Sequence, residues 1–568
     1  MKRFFFPAAA ALAAVLSLLL VHDHTREDSL SADEPVHILA GYLQVFARTA
    51  IVNIEHPPLM KELAGLGLLA VPVAAPPARV PLGLAFSSWG HAFLFEGPVS
   101  PDAIAAAARA PFLLVLAMLL AVVYGAAHSR WGGASALFAV ALLAFDPNFV
   151  AHAGVVHTDL GAALAFVGAV LAFEAAQRSR TPARLAVAGV VLGLALATKF
   201  SAVYLGPILL LQGLLALRGS ARAGSEAVRL CGRLAAVGGI ALAVLIGVYA
   251  AASWRMDPAE QRQVIHEMVA LRGAPGLSDA IEKLARICPP LGHYAGGLAS
   301  VFRQNAEGGG VNFLFGRVSV HGFPSYFFVA FLLKSTLAFL AAAAIVLTAL
   351  ARDPEARREA RLFLLPPAVL FLASMGASYN IGIRHMLPVY PFLALAAAGV
   401  LARARRGGFR PAAAALVVLP LLSAGEILRI HPHELSYFNA LAGGPESGRR
   451  ILSDSNVDWG LDLKRLSSEL ASRKAQAPTV VYFGGDDVPF RLGVPEFAAE
   501  PVVRGPIVAI SAFEEAVGPE FYAYHGVPVV SGALERLRRE LAQRGRLVGR
   551  VGYSIHLYEL PPKGTASP

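Results

Sequence analysis

The sequence has 568 residues, of which 56% are hydrophobic and only 15% are charged. Soluble domains are about half apolar and about a quarter charged, so the composition excludes an ordinary soluble protein and indicates a polytopic membrane protein. The formal net charge of +10 does not indicate a nucleic-acid partner, because the arginines stand in short runs between apolar segments, as membrane topology requires.

Long apolar segments recur along the chain, each close to the length of about 20 residues that a helix needs to cross the hydrocarbon core. The first one follows Met1, Lys2 and Arg3 and lacks a clear small-x-small cleavage site, so we interpret it as a retained transmembrane helix rather than a signal peptide. Hydropathy predicts about eleven transmembrane helices. They are expected near residues 4–22, 109–127, 132–149, 157–176, 184–200, 202–218, 233–252, 326–350, 361–379, 386–403 and 411–428.

The connecting segments alternate in charge, and this predicts their orientation. The positive-inside rule places the N-terminus and the arginine-rich segments in the cytoplasm; those segments are 127–131, 177–185, 218–233, 351–361 and 402–410. The mixed-charge segments are then outside: 23–108, 150–156, 253–325, 380–385 and everything after 429. An odd number of spans also puts the C-terminus outside. Cys231 and Cys288 therefore fall on opposite sides, which argues against a disulfide, and neither has metal-binding spacing.

After about residue 430 the apolar runs stop and the pattern changes. Residues 451–473 predict a loop followed by an amphipathic helix. Three segments rich in Val, Ile and Tyr predict short strands, at 478–485, 505–513 and 551–560. We therefore divide the chain into a membrane domain, 1–428, and a small soluble α/β domain, 429–568. The series of Asp454, Asp458 and Asp462 does not reproduce an EF-hand loop, so with Trp459 it is interpreted as a capped helix start.

The ionisable residues at the ends of the predicted spans gather on the outer side. An ionisable group at a membrane is costly to desolvate, so acids and bases on one face predict a shared polar site, although any one of them can be hydrated among headgroups. A carboxylate there can act as general base on an acceptor hydroxyl or amine, while cations hold a phosphate. Neither a P-loop nor a Rossmann fingerprint is present, so a soluble nucleotide-sugar donor is not supported. The residues are Asp33, Glu34, His56, Lys61, Arg109, Asp146, His152, His157, Asp159, Lys199, Lys334, Arg384 and His385.

The stretch "DEPVHILAGY…NIEHPPLMKELAG", within 33–65, resembles the first outer loop of the GT-C membrane glycosyltransferases. The likeness is to the protein O-mannosyltransferases and lipid A aminoarabinose transferases of family 39, with an acidic pair after the first helix and an HPP segment before the second. Further segments resemble later parts of the family in the same order: 109–124, 145–166, 313–339, 382–395 and 451–466. The order of these segments and their membrane placement make the resemblance more specific than any one of them.

The resemblance implies a GT-C fold and transfer of a sugar from a polyprenyl-phosphate-linked donor to a protein, lipid or glycan acceptor outside the plasma (inner) membrane, with the C-terminal domain in the periplasm. It implies that Asp33 deprotonates the acceptor, that Glu34 shapes the site and that Asp159 orients substrate. Four residues are expected to contact the donor phosphate: Lys61, Arg109, Arg384 and His385. Lys334, inside an apolar run, is expected to meet a buried anionic partner, and His56 is placed among the substrate-binding residues.

Several alternatives stay open at this point. Asp159 also fits a helix N-cap, Lys61 also fits snorkelling to lipid headgroups, and the two prolines after His56 also fit an architectural role at a helix start. No cofactor is required, and a divalent metal ion stays open because related families differ in metal use. A transporter or lipid flippase is the alternative function, although no inverted repeat is evident, and a non-catalytic family member is another.

Overall fold

The computed structural model describes residues 2–77, 85–179, 181–217, 223–270 and 275–561. Parts of the predicted outer segments 23–108, 253–325 and 429–568, and of the predicted cytoplasmic segments 177–185 and 218–233, lie outside these described residues. Nothing follows about those parts from the structure.

The described residues up to 253 are mainly helical. In a bilayer every backbone polar group must bond within the protein, and a helix satisfies its own groups, which suits the long runs of Ala, Leu and Val. A π-helical turn lies at Leu43–Ala47, and 3₁₀ turns lie at Leu68–Ala70 and Phe200–Tyr204. The helices are α1 (Lys2–Glu27), α2 (Glu34–Tyr42), α3 (Leu59–Gly67), α4 (Ala85–Phe95), α5 (Pro101–Trp131), α6 (Gly133–Ala144), α7 (Pro147–Ala153), α8 (Asp159–Ser179), α9 (Pro182–Leu196), α10 (Leu205–Leu217) and α11 (Ala223–Ser253).

The next part of the chain begins with a folded segment and then returns to apolar helices. The predicted outer segment 253–325 contains three helices and a short antiparallel hairpin. A 3₁₀ turn at Ile383–Met386 interrupts the apolar helices that follow. The elements are α12 (Pro258–Ala270), α13 (Pro275–Ile287), α14 (Pro289–Glu307), β1 (Asn312–Leu314), β2 (Arg317–Ser319), α15 (Tyr326–Lys334), α16 (Leu337–Arg352), α17 (Pro354–Ser374), α18 (Val389–Arg406) and α19 (Arg410–Ile430).

Six helices in the described ranges are long and apolar enough to cross a membrane, and eight if each of two bent pairs is one span. The pairs are α6 with α7, bent by 63°, and α15 with α16, bent by 116°. The helices α9, α17 and α18 lie on three further predicted spans. They do not count among the candidate spans, because α9 has only 15 residues and the other two carry several charges. The chain is thus a multi-pass helical membrane protein, whereas the predicted number of eleven spans is not confirmed.

Two glycines allow α2 and α3 to cross at close range. A Cβ on Gly41 would lie 2.3 Å from the carbonyl oxygen of Lys61, and a Cβ on Gly65 would lie 2.2 Å from that of Gly41. Only residues without a side chain permit this approach of two backbones. The crossing fixes the start of α2, where Asp33 lies, relative to the segment around His56.

The C-terminal region combines helices with a four-stranded sheet of order β3-β4-β6-β5. Strands β3 and β4 are parallel, and the other pairs are antiparallel. The three predicted strands are present as β3, β4 and β6, whereas β5 was not predicted. The solubility of the region stays a prediction. 3₁₀ turns lie at Glu434–Ser436, Ala440–Ala442 and Asp454–Asn456. The other elements are α20 (Pro445–Gly448), α21 (Leu463–Ser472), β3 (Thr479–Val481), α22 (Val488–Leu492), β4 (Ile507–Ser511), α23 (Ala512–Tyr524), α24 (Pro528–Arg544), β5 (Arg546–Val551) and β6 (Ile555–Glu559).

The C-terminal region packs directly on the segment that precedes Asp33. The backbone N–H of Ser29 donates to Leu461 O at 2.8 Å, and that of Ala32 donates to Trp459 O at 3.0 Å. The N–H of Gly485 donates to Leu30 O at 3.2 Å. The predicted boundary at 428 therefore separates two parts of the chain that meet beside the candidate site.

Candidate active site

The candidate site is formed where several helices end on the same side of the bundle. Asp33 is the N-cap residue of α2, but its side chain makes no capping hydrogen bond and is free to act elsewhere. Asp159 begins α8, and Lys199 directly precedes the 3₁₀ turn Phe200–Tyr204. Arg384 and His385 lie in the 3₁₀ turn between α17 and α18. Helix ends carry unpaired backbone groups and tolerate polar side chains, which explains why these residues collect there.

Arg384 links the two predicted carboxylates. Its Nη1 lies 3.2 Å from Asp33 Oδ2 and 3.7 Å from Asp159 Oδ2. Lys199 forms an ion pair with the other oxygen of Asp159. The side chain of Asp159 is 1% exposed, whereas that of Asp33 is 38% exposed. Of the two carboxylates, Asp33 is therefore the one that a substrate can reach.

His157 lies between these charges. Its Nδ1 is 2.5 Å from Asp159 Oδ2, and its Nε2 is 2.9 Å from Arg384 Nη1. A guanidinium only donates hydrogen bonds, so Nε2 accepts and the ring proton resides on Nδ1, facing Asp159. Burial would raise the pKa of Asp33, but the positive charge of Arg384 lowers it, and the pKa lies below its usual range. Asp33 is thus ionised at neutral pH.

Trp459 supplies a site wall from the C-terminal region. The guanidinium carbon of Arg384 lies 4.2 Å from the centre of the Trp459 ring, and the ring contacts His157 at 5.4 Å. Desolvated cation–π contacts of this kind are worth about 2 kcal/mol. The predicted capped helix start at this position is wrong, because Asp462 precedes α21 without a capping hydrogen bond and its carboxylate accepts from Ser554 at 2.6 Å instead.

A cavity of about 490 Å³ opens beside these residues. Its polar end is formed by Asp33, His56, His157, Lys199, Arg384 and His385. Its other walls include apolar side chains, among them Phe200, Val203, Tyr204, Val301 and Phe302. The cavity therefore combines charged and apolar lining residues, which matches a ligand that carries both a phosphate and a hydrocarbon chain.

Two further histidines lie next to His157. The ring of His37 is 4.9 Å from the rings of both His56 and His157, and the rings of His56 and His157 are 5.4 Å apart. Burial lowers the pKa of His37 and of His56 well below the usual value, so both rings are neutral. His56 lines the cavity, and its predicted role in substrate binding stays a prediction beside the architectural one.

Glu34 and Arg109 lie outside the cavity lining and form a buried ion pair. Arg109 donates from Nε and from Nη2 to the two oxygens of Glu34, each at 2.7 Å. The backbone N–H of Ser31 donates to Glu34 Oε2 at 2.8 Å, and that of Val156 donates to Glu34 Oε1 at 3.0 Å. The predicted roles of Glu34 in catalysis and of Arg109 at the phosphate are therefore not supported by their placement. The pair fixes the loop before Asp33 against α5 and the segment before α8.

The two predicted lysine contacts are also directed elsewhere. Lys61 Nζ donates to the carbonyl oxygens of Asn53 and His56, both at 2.7 Å, and burial lowers the pKa of Lys61 to about 7. Lys334 Nζ donates to the carbonyls of Leu435 and Asn456, both at 2.6 Å. The anionic partner expected for Lys334 is thus replaced by backbone carbonyls. Snorkelling of Lys61 is likewise wrong, since the side chain is buried.

A second and larger cavity, of about 720 Å³, lies at the other end of the bundle. Glu174 lines it, and along α8 Glu174 is about 22 Å from Asp159 at the helical rise of about 1.5 Å per residue. Its charges pair with one another, for example Arg178 with Glu174 at 2.5 Å. Because none of the predicted site residues lines it, the smaller cavity is the candidate active site.

Part of the chain matches a known protein family. Residues 102–250 match the family described as dolichyl-phosphate-mannose-protein mannosyltransferase. The chain is similar to the GT-C glycosyltransferases of family 39. The match covers about a quarter of this family 39-like chain, from the start of α5 to near the end of α11, and includes His157, Asp159 and Lys199. No protein of curated function matches the chain by sequence.

The chain is also similar to solved structures. The oligosaccharyltransferase from Archaeoglobus fulgidus in the apo form is 14% identical, with 99% of this chain and 75% of that chain covered and a TM-score of 0.50. ArnT from Cupriavidus metallidurans, bound to undecaprenyl phosphate, is 14% identical, with 100% and 99% covered and a TM-score of 0.48. At such low identity the first likeness shows only that this chain is similar in fold to that oligosaccharyltransferase.

Sequence reasoning missed part of the site. His157 and Lys199 stood in the outer polar set without an assigned role, and His37 was not considered. His37 follows Asp33 by four residues on α2 and therefore shares its face, a signal that was available. The role of Trp459 had no such signal, because 426 residues separate it from Asp33.

Proposed function

We propose that the chain is an integral-membrane glycosyltransferase that moves a sugar from a polyprenyl-phosphate-linked donor to an acceptor outside the cytoplasm. The observation that carries the proposal is the single cavity in which a partly exposed carboxylate, Asp33, faces two cations, Arg384 and Lys199, beside an apolar wall. A soluble sugar donor would not need that wall, and a lipid-linked donor would.

The donor binds with its phosphate at the charged end of the cavity. Arg384 and Lys199 line this end, and both are held in place by the buried carboxylate of Asp159. Charge-assisted bonds to phosphate from such preorganised cations stabilise the negative charge that develops as the phosphate leaves. The first isoprene units lie along Phe200, Val203 and Phe302.

The acceptor approaches Asp33 from the open part of the cavity. Asp33 takes the proton of the acceptor hydroxyl as the oxygen bonds to C1 of the sugar, and the bond from C1 to the phosphate oxygen breaks with inversion. The leaving group is the polyprenyl phosphate anion. Asp159 does not touch the acceptor in this scheme and acts as a positioning residue for His157, Arg384 and Lys199.

The family description supports a mannose-type donor and a protein hydroxyl acceptor as the first substrates to test, with lipid and glycan acceptors next. The proposed location is the plasma (inner) membrane, with the site and the C-terminal region facing the periplasm. This orientation rests on the arginine-rich segments, such as 402–410 at the end of α18, which lie at the end of the bundle opposite to Asp33.

The test uses the purified full chain in proteoliposomes with a radiolabelled polyprenyl-phosphate sugar and a Ser/Thr peptide. Asp33→Asn should reduce transfer by about 100-fold or more with little change in thermal stability, because it removes the base and keeps the shape. Asp353→Asn is the matched control. Asp353 is also 38% exposed and also pairs with an arginine, Arg403 at 2.7 Å, but caps α17 outside the site.

Two results would contradict the proposal. Transfer by Asp33→Asn at the level of Asp353→Asn would remove Asp33 from the base role. Movement of labelled lipid or solute across the vesicle without any sugar transfer would favour the transporter alternative.

A further inference from the structure

Three histidines from separate segments surround one point beside the cavity. His37 lies on α2, His56 precedes α3, and His157 precedes α8. One ring nitrogen of each lies within 4.8 Å of the others. The rings are tilted by 49°, 61° and 74° to one another, so all three ring edges, where the nitrogens lie, can turn toward one common point.

The spacing of the rings fits a shared ion. With a Zn–N bond of about 2.05 Å and tetrahedral angles, three imidazoles on one ion have ring centres about 5.2 Å apart. The observed separations are 4.9, 4.9 and 5.4 Å. The three ring nitrogens lie within 4.8 Å of one another, so rotation of the rings toward a common point is what would bring them onto one ion.

The surroundings also hold two of the rings in the orientation that a ligand needs. Nδ1 of His157 is 2.5 Å from the buried carboxylate of Asp159, which leaves Nε2 as the coordinating atom. A carboxylate behind a histidine in this way is the usual outer partner of a metal ligand. The backbone of His56 is held by Lys61, whose Nζ donates to the His56 carbonyl at 2.7 Å.

We propose that His37, His56 and His157 bind one divalent cation of the Zn²⁺ class. Imidazole nitrogens suit Zn²⁺, Co²⁺ or Ni²⁺, whereas Mg²⁺ and Ca²⁺ prefer oxygen ligands. Three protein ligands leave a fourth position open, as in catalytic rather than structural zinc sites. Because His56 and His157 line the cavity, that position faces the cavity.

The charges nearby indicate what the ion would do, and this part rests on the proposed function. The carboxylates of Asp33 and Asp159 are balanced by Arg384 and Lys199, so a divalent ion leaves two net positive charges beside the phosphate. The ion on Nε2 of His157 replaces the hydrogen bond from Arg384, and the freed guanidinium can then donate to the phosphate. The phosphate oxygen occupies the open fourth position.

The experiment measures metal binding directly. The full chain, purified with an affinity tag that contains no histidine, is stripped with a chelator, reloaded with Zn²⁺ or Co²⁺, and freed of excess metal. Mass spectrometry should find about one ion per chain, and Co²⁺ should give the visible bands of a tetrahedral nitrogen site. His37→Ala and His56→Ala should each weaken Zn²⁺ binding by about tenfold or more, and His385→Ala, which changes another histidine of the same cavity, should retain it.

Each other outcome overturns the proposal. It fails if the wild-type chain takes up no stoichiometric Zn²⁺, if Mg²⁺ displaces Zn²⁺, or if His56→Ala binds as tightly as the wild type. Thermal unfolding shows whether a variant is folded, and His56→Gln replaces His56→Ala if the alanine variant is not. The proposed function is judged separately. Stoichiometric metal without sugar transfer contradicts the proposed function alone. Full transfer by metal-free protein contradicts the proposed role of the ion at the phosphate alone.

Discussion

The ion pair of Glu34 and Arg109 allows a sharp distinction between a structural and a catalytic role for the second residue of the acidic pair. We expect Glu34→Gln to destabilise the protein strongly. The glutamate is fully buried and accepts four hydrogen bonds, two from Arg109 and one each from the N–H groups of Ser31 and Val156. An amide keeps one acceptor oxygen and places an NH₂ donor where the other oxygen was.

The magnitude follows from those contacts. Two donors, Arg109 Nη2 and Ser31 N, would face the new NH₂ group and lose their acceptor. Hydrogen bonds to charged groups are worth about 1.5–3 kcal/mol each, so two of them account for about 3–6 kcal/mol. Breaking a buried ion pair by removing one partner costs about 3–5 kcal/mol, which agrees. The cost is high because Arg109 remains charged and is only 6% exposed.

Thermal unfolding in detergent, followed by tryptophan fluorescence, checks this prediction. Glu34→Gln should unfold several degrees below the wild type, whereas Asp33→Asn, one residue away, should unfold close to it. The double variant Glu34→Gln with Arg109→Met should recover much of the loss, because it removes the unpaired charge. The recovery separates the ion pair from any other effect of the glutamine.

A single result would refute the reasoning. If Glu34→Gln unfolds with the wild type and yet transfers no sugar, Glu34 acts on the substrate, and the buried ion pair does not explain its presence.

Two further predictions concern other buried or bridging groups. His431 contacts Glu434 at 2.5 Å and Asp23 at 2.8 Å, and chiefly the bond to Glu434 raises the pKa of His431 to about 9. The raised pKa contributes stability that is complete below pH 6.5 and lost as pH rises through 9. After solvent screening this contribution is about 1–2 kcal/mol. The free energy of unfolding should therefore depend less on pH between those values in His431→Gln than in the wild type. Lys334→Met should destabilise by about 2–4 kcal/mol, because two buried carbonyls lose their donor, while the folded fraction retains transfer; loss of transfer without loss of stability would contradict this.

Much of the architecture could be predicted from local pattern. Apolar runs of helical length, arginine-rich connections and a change of composition near residue 430 predicted a multi-pass helical protein with an α/β C-terminal region. These features depend on composition over about 20 residues, which the bilayer itself constrains. The number of spans was not confirmed, because the helices on three of the predicted spans are too short or too charged to pass as spans: α9 has 15 residues, and α17 and α18 carry several charges.

The site was predictable only in part. The sequence by itself brought Asp33, Asp159, Arg384 and His385 into one group, because ionisable residues at span ends on one side must share the same membrane surface. Position in the sequence placed Asp33 and its neighbour Glu34 in the same site, and only the family resemblance gave them different roles there. Only the tertiary structure decided that Glu34 faces Arg109 and Asp33 faces the cavity.

The same limit applies to the residues that sequence reasoning missed. Trp459 stacks on Arg384 and His37 joins His56 and His157 because helices remote in the chain are packed together by close backbone crossings and buried ion pairs. Local periodicity carries information about which face of a helix a residue occupies, but not about which other face it meets. The contacts that define the chemistry of this site join faces of different helices. They arise only when the whole bundle and its C-terminal region assemble.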